Sequence, residues 1–443
     1  MKKLGFIVAL MAVVMIASTV FAAEKAQWTM MVFINADNNL DRFGVIDVQE
    51  MEKAGLSKDV NIVVQLDRFN KETRRYDVTG RAADAKADDW GLTSNMVQKM
   101  GEVDMGDYKE MVNFVKWSAE TYPAEKYLLV IWNHGAGWKK RNNEIFKGIS
   151  YDDQSKNHIT TAQLGTAMQS IAGVLGKQLD ILAMDACLMQ MVEVLYEVRE
   201  NVTYMVASEE TEPGDGWPYH LVCPPLTKNP AMSALEFAKL IPQAYAQSYP
   251  SKSTTQSAVE LAKMDVLAEA INKFAVALTD AINVPAEAKI AKDALNVVQK
   301  YAYPENVDLG HIVKLICDKT ADAKVKEAGA ELLMAYEKAI VQNNITGYST
   351  KNSTGIAIFF PKSGWNSTYS TIKFSEYKWD EMVQALMKAA VPAPAVNEAP
   401  AAPAASTPSN NSYNSGNYYP SYPNMPGMPG VHPHWPPLDP MIY

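Results

Sequence analysis

Five short apolar runs punctuate the first half of the chain: 28–36 (WTMMVFINA), 61–66 (NIVVQL), 126–133 (KYLLVIWN), 180–184 (DILAM) and 203–208 (TYMVAS). Runs that are apolar on both faces fit central parallel strands covered by helices on each side. The stretches 40–54, 108–121, 160–175 and 188–200 carry their apolar residues at helical spacing, and Thr160 with Gln163 has capping-box spacing at the start of the third. Strand and helix in alternation predict a three-layer α/β/α sandwich over residues 23–224. After about Pro224 the texture changes. Stretches 231–249, 266–281, 286–298, 307–319 and 322–342 read as helices, interrupted by strand-like runs at 256–262 and 355–360. Residues 225–391 therefore read as a mainly helical C-terminal domain contributing strands to the sheet of the first.

The two ends differ from this pattern. Lys2 and Lys3 precede the wholly apolar stretch 4–17, and Val20 and Ala22 occupy the small-residue positions of a cleavage site after Ala22. Residues 1–22 thus read as an export signal, too short in its apolar part to span a membrane, and the mature protein is expected to be secreted or periplasmic. Residues 392–443 contain 13 prolines and no Lys or Arg, a composition that forbids helix and sheet ladders and predicts a disordered tail. Net charge is −9, from 41 Lys and Arg against 50 Asp and Glu. That sign argues against nonspecific nucleic-acid binding and against docking on an anionic membrane. Three cysteines cannot form a disulfide framework for 443 residues.

Zinc-protease, serine-hydrolase and phosphate-loop motifs are absent from the sequence. What remains gathers at strand ends, where open α/β sheets place their reactive groups. His134 follows the run LLVIWN and precedes Gly135-Ala136-Gly137; Cys187 follows DILAM through Asp185-Ala186 and precedes the helical stretch 188–200. If the two strands are parallel neighbours, thiol and imidazole face one cleft. A helix N-terminus and a nearby imidazolium would lower the thiol pKa. Cys187 would then attack a carbonyl while His134 protonates the leaving amine, with the backbone N–H groups of Gly135 and Cys187 holding the oxyanion. Cys223 and Cys317, in Leu-Val-Cys-Pro and Leu-Ile-Cys contexts, read as packing residues.

Residues 131–138 (IWNHGAGW) and 184–189 (MDACLM) resemble the histidine and cysteine blocks of the clostripain family of cysteine peptidases. Residues 36–40 (ADNNL), 207–210 (ASEE) and 355–361 (GIAIFFP) resemble its first strand end, the strand after its cysteine and its late strand. The resemblance implies a caspase-like fold and cleavage of proteins or peptides after Arg or Lys. It makes Asp185 the acid that binds the basic P1 side chain, with Glu209, Glu210, Glu212 and Asp215 as rivals for the same pocket. It further implies processing between the two blocks, for which Lys139, Lys140, Arg141 and Lys147 are candidates, Lys147 and Arg141 foremost. Some family members depend on calcium, and Asp37, Asn39 and Asp41 alternate as in a calcium loop. Arg42 and Val48, however, replace the glycine and the bidentate Glu of an EF-hand, so a turn leading into a helix is the plainer role. The alternative to an enzyme is a catalytically silent caspase-like surface protein that binds through its tail.

Overall fold

The computed structural model describes residues 25–138 and 148–392. The export segment 1–22, the candidate cleavage residues Lys139, Lys140, Arg141 and Lys147, and residues 393–443 of the tail lie outside the described residues.

The chain opens on β1 (Ala26–Ala36), α1 (Asp41–Met51) and β2 (Val60–Arg68), then turns back through β3 (Thr73–Asp77) and β4 (Asn95–Gly101). Next come α2 (Tyr108–Thr121), β5 (Ala124–Trp132), a ribbon of β6 (Ile149–Asp152) and β7 (Asn157–Ile159), α3 (Thr161–Leu175), β8 (Leu179–Asp185), α4 (Val192–Val198) and β9 (Val202–Ala207). The remainder comprises α5 (Tyr219–Lys228), α6 (Ala234–Ser248), β10 (Thr254–Glu260), α7 (Met264–Ala281), α8 (Pro285–Val297), β11 (Asn306–Asp308), α9 (Leu309–Cys317), α10 (Ala323–Ala339), β12 (Ile340–Thr346), β13 (Ala357–Phe359) and α11 (Trp379–Lys388). Nine strands form one sheet in the order β12-β10-β9-β8-β5-β1-β2-β3-β4. Its centre, β9 to β2, is parallel, and the pairs beyond it on both sides are antiparallel.

Burial on both faces explains the continuous apolar runs. In β1, Trp28, Met30, Val32 and Ile34 enter one core while Met31 and Phe33 enter the other. The first core is closed by α1, α5 and α6, with Phe237 edge-on to Trp28. The second is closed by α2, α3 and α4 and continues outward into α7 to α11. The three layers are those the alternation predicts, and β10 and β12 from the C-terminal half complete the sheet. Thr160 and Gln163 form the expected capping box.

Other segments depart from the expectation, each for a local reason. β3 (TRRYD) and β4 (NMVQKMG) have too little apolar content to announce themselves. β3 is nevertheless buried, because Arg74 pairs with Asp89 and lies over Trp90, while Arg75 donates to Gln65. The stretch 322–342 is not one helix: α10 stops at Ala339 and the polar edge strand β12 follows. The run 355–360 gives β13, which pairs with β11 outside the main sheet. α5 carries Pro224 and Pro225 inside it, so the sequence signal for it is that of a break. Among the described residues, no helix is long and apolar enough to cross a membrane.

Leu182 sits fully buried in β8, whereas Met96 on β4 is 36 % exposed. In urea unfolding of an inactive Cys187→Ala background, Leu182→Ala should cost about 2–5 kcal/mol and Met96→Ala under about 1 kcal/mol.

Candidate active site

β5 and β8 are adjacent and parallel, in a register that ends with Trp132 opposite Asp185. Their following loops therefore leave the sheet side by side. The Asn133 N–H donates to the Asp185 carbonyl at 3.2 Å, and a Cβ on Gly135 would stand 2.3 Å from the Cys187 carbonyl oxygen. Only glycine permits so close an approach of the two loops. The loops that carry His134 and Cys187 are thus brought side by side, and both residues are partly exposed. The side chain of Asn133 fixes the histidine loop, donating to the Asn35 and Tyr151 carbonyls and accepting the Tyr151 N–H. His134 Nε2 lies 2.7 Å from Asn39 Oδ1, an acceptor, so Nε2 carries the proton and Nδ1 is its basic nitrogen. Asn39 is thus the partner of the imidazole, a contact that the calcium spacing had obscured.

The stretch after Cys187 is not helical. α4 starts only at Val192, and Leu188 adopts φ +64°, a left-handed conformation costly for a branched side chain. The chain is held extended there because Leu188 N–H donates to the Glu210 carbonyl, Gln190 N–H to the Ser208 carbonyl, and Met191 bridges to Ala357 of β13. The expected lowering of the thiol pKa by a helix N-terminus is accordingly overturned. Burial pushes the Cys187 thiol up to about 12; the Glu212 N–H, 3.2 Å from Sγ, opposes this, while the charges of Glu212, Glu210 and Asp185 add to it. Burial also lowers the pKa of His134. Both shifts favour the uncharged forms of the thiol and the imidazole. The Cys187 backbone N–H bonds to no described group, and Gly135 is steadied by an antiparallel bridge to Ile149.

Asp185 points into a buried acidic recess. Its Oδ2 accepts the Trp217 N–H at 3.2 Å and the Tyr219 hydroxyl at 2.9 Å, and Gly216 lies against its carboxyl group. Glu212 faces Asp185 and hydrogen-bonds to it, and its Oε1 accepts from Gln256 at 3.0 Å. Burial, then Asp185's charge, raises the pKa of Glu212, and burial raises that of Asp185 to about 6. Asp47, bonded to the Trp132 indole at 2.6 Å, is raised by burial and then by Asp185. Among the described residues no Lys or Arg forms an ion pair with these three acids. Of the other rivals, Glu209 turns to the Tyr301 hydroxyl at 2.7 Å, Glu210 accepts the Ala302 N–H at 3.0 Å, and Asp215 is exposed. Cys223 is buried and Cys317 partly so, and all three cysteines are free thiols.

The calcium-loop spacing does not assemble. Asp41 pairs with Arg68 at 2.7 Å and Asn39 with His134, while Asp37 alone joins other acids. The segment makes the turn into α1 that its plainer role requires.

A parallel sheet with a thiol and an imidazole on neighbouring loops at its carboxyl edge is the architecture of the caspase-like cysteine peptidases. The chain belongs to the clostripain family, the C11 peptidases, whose sequence profile matches residues 32–386. It is 28 % identical to clostripain of Hathewaya histolytica over 213 residues, a match that takes in 43 % of this chain and 40 % of clostripain's own length. In fold it is similar to a secreted C11 cysteine protease of Bacteroides thetaiotaomicron solved with an irreversible peptide inhibitor, at TM-score 0.58 and 19 % identity over 82 % of this chain and 99 % of that one. It is likewise similar to an inactive zymogen C11 protease of Parabacteroides distasonis, at TM-score 0.58 and 17 % identity over 81 % and 99 % of the two chains.

The raised thiol has a direct consequence. Alkylation of Cys187 by iodoacetamide, followed by peptide mass spectrometry, should accelerate about tenfold per pH unit between roughly pH 7 and 9. A plateau near neutrality would show a preformed thiolate instead.

Proposed function

We propose that this protein is a secreted cysteine endopeptidase that cleaves after Arg or Lys, with Cys187 as nucleophile and His134 as its acid and base. The observation that carries this reading is the recess beside the thiol, whose acids Asp185, Glu212 and Asp47 lack any described cationic partner. Buried carboxyls without a counter-charge are costly unless a ligand supplies one. A P1 guanidinium or ammonium entering the recess would gain charge-assisted hydrogen bonds, each worth roughly 1.5–3 kcal/mol.

In the mechanism, Cys187 Sγ attacks the scissile carbonyl as its proton passes to His134 Nδ1. The carbonyl oxygen becomes an oxyanion facing the N–H groups of Gly135 and Cys187. The imidazolium then protonates the leaving amine, and the acyl-enzyme forms. Water attacks the thioester, its proton passing to Nδ1 and back to sulfur as the acid product departs. Asn39, holding Nε2–H, keeps Nδ1 as the working nitrogen. The acids that would bind P1 also raise the thiol pKa, so a bound cation relieves part of that penalty and helps the thiol ionise only when a basic side chain is present. Self-processing fits the same specificity: the Gly148 N–H donates to the Gly137 carbonyl, and the basic candidates fall between these two glycines in the sequence.

Cys187→Ala and His134→Ala should each lower kcat/KM by about 10³-fold or more, while Cys223→Ala and Cys317→Ala retain most activity. On matched peptides, Arg or Lys at P1 should exceed Ala by at least about tenfold, and Asp185→Asn should erase that margin. Because Asp185 must be ionised, the preference should shrink as pH falls through about 6. A margin unchanged by Asp185→Asn and Glu212→Gln would overturn the recess as the P1 site. Intact-mass analysis of wild type beside Cys187→Ala tests self-cleavage after Lys147, Arg141, Lys140 or Lys139; equal nicking in both would assign it to another protease.

A further inference from the structure

Behind the nucleophile's loop, two acids outside the P1 recess meet in the core. Glu209 stands two residues beyond β9, and Asp308 ends β11. They are 1 % and 0 % exposed. The Tyr301 hydroxyl lies 2.7 Å from Glu209 Oε1 and 3.2 Å from Asp308 Oδ2, and the two carboxyl groups hydrogen-bond to each other. A hydroxyl has one proton to donate, and two carboxylates repel. The contact between the acids therefore requires a proton of its own.

The remaining partners decide which acid holds it. Asp308 Oδ1 accepts the His311 N–H at 2.7 Å and the Thr354 hydroxyl at 2.6 Å, and Oδ2 accepts the Thr354 N–H. So many donors suit an ionised carboxylate. Glu209 has the Tyr301 hydroxyl and the Gly355 N–H; burial, then the charge of Asp308, raises its pKa and keeps it protonated. No Lys or Arg among the described residues pairs with either acid. The other titratable neighbours supply no positive charge near neutral pH. Tyr301 and Tyr336 of α10 have their pKa values raised by burial and then by these acids, and burial lowers that of His311 on α9. Glu210 turns away to the Thr211 and Ala302 N–H groups. From β10 and the segment before β13 the neighbours are the uncharged Thr255, Ser353 and Thr354.

The pair sits where it can set the nucleophile's loop. Leu188 N–H donates to the Glu210 carbonyl and Gln190 N–H to the Ser208 carbonyl, on either side of Glu209, while the Gln190 carbonyl accepts the Ala357 N–H. Ala357 pairs with Asp308 across β11 and β13. Residues 188–190 are thus held between two segments that Glu209 and Asp308 join. We propose that Glu209, as a neutral acid donating to the Asp308 carboxylate, is a positioning residue for Cys187: it locks the 208–210 strand end to β11 and β13, and loss of its proton releases the lock. Once ionised, Glu209 faces Asp308 as a second buried negative charge with no cation to offset it. The strand end then moves off, taking with it the bonds that keep Leu188 in its left-handed conformation. The inference rests on Cys187 being the nucleophile.

Two measurements test it, one of them independent of activity. The unfolding midpoint of full-length Cys187→Ala is followed from pH 6 to 10 with and without Glu209→Gln. The folded chain holds a proton that the unfolded chain has already released, so stability falls as pH rises toward the folded pKa. A Gln amide donates to Asp308 at any pH. The midpoint should therefore fall by about 4 °C or more further with Glu209 than with Gln. In the active enzyme, the ratio of kcat at pH 9 to kcat at pH 7 on one P1-Arg peptide should be at least about threefold higher in Glu209→Gln than in wild type. The dyad is common to both proteins, so its own titration cancels. The wild-type loss should fall on kcat more than KM, because Asp185 is held within β8. Glu209→Ala should lower kcat about tenfold at both pH values, a loss that Gln largely avoids. Asp308→Asn keeps an acceptor for the His311 N–H and removes the second charge, so it should flatten both pH responses as well; it decides the matter if Glu209→Gln does not fold. Equal pH 9 to pH 7 ratios in wild type and these variants, or midpoints falling in parallel, would overturn the proposal. Should the wild type cleave no such peptide, the peptidase reading fails while the midpoints still decide this one.

Discussion

The parallel pairing of β5 with β8 is the constraint on which the rest of the site depends. Neighbouring strands lie about 4.8 Å apart, so a register that ends at Trp132 opposite Asp185 launches two loops from adjoining points in one direction. Loop glycines and backbone bonds then do the close fitting. Gly135 presses on the Cys187 carbonyl, and Asn133 donates to Asp185. A one-residue slip of either strand would turn that strand's side chains to the wrong core and offset the two loops. The register is held firmly because each strand is buried on both faces.

The stability supplied by two apolar cores is set against an edge rich in uncompensated acids. At the β3 margin the charges are paired: Arg74 has Asp89, Asp88 and Glu72 around it. At the carboxyl edge Arg68 takes Asp41, but Asp37 and Asp67 have no such partner among the described residues, and burial lifts the pKa of Asp37 to about 7 and that of Asp67 to about 8. The Asp185 recess has the same character. A fold keeps such groups where a ligand completes them. The left-handed Leu188 belongs to the same pattern, a local strain held in place by β13 and the Ser208–Glu210 strand end. That gives the late run 355–360 a role its sequence does not show: it is the clamp on the nucleophile's loop rather than a member of the main sheet.

The sequence by itself determined the layered architecture and the identity of the nucleophile and base candidates. Two-faced apolar runs have few folding options, and His134 and Cys187 each stand directly beyond one of them. Thr160 and Gln163 marked a helix start through local bonding alone, and the motif blocks placed the chain in its family. Tertiary structure decided what depends on contacts distant in sequence. The burial of β3 rests on the partners of its arginines, and α5 survives its prolines through packing. Glu212 was separated from Glu209, Glu210 and Asp215 by the direction of one loop. The state of the Cys187 thiol reversed because no helix begins behind it, while desolvation and nearby carboxylates raise its pKa. The contact of Asn39 with His134 was invisible along the chain for the same reason. A residue's charge state and partners are set by what folds against it, and one-dimensional spacing carries no record of that.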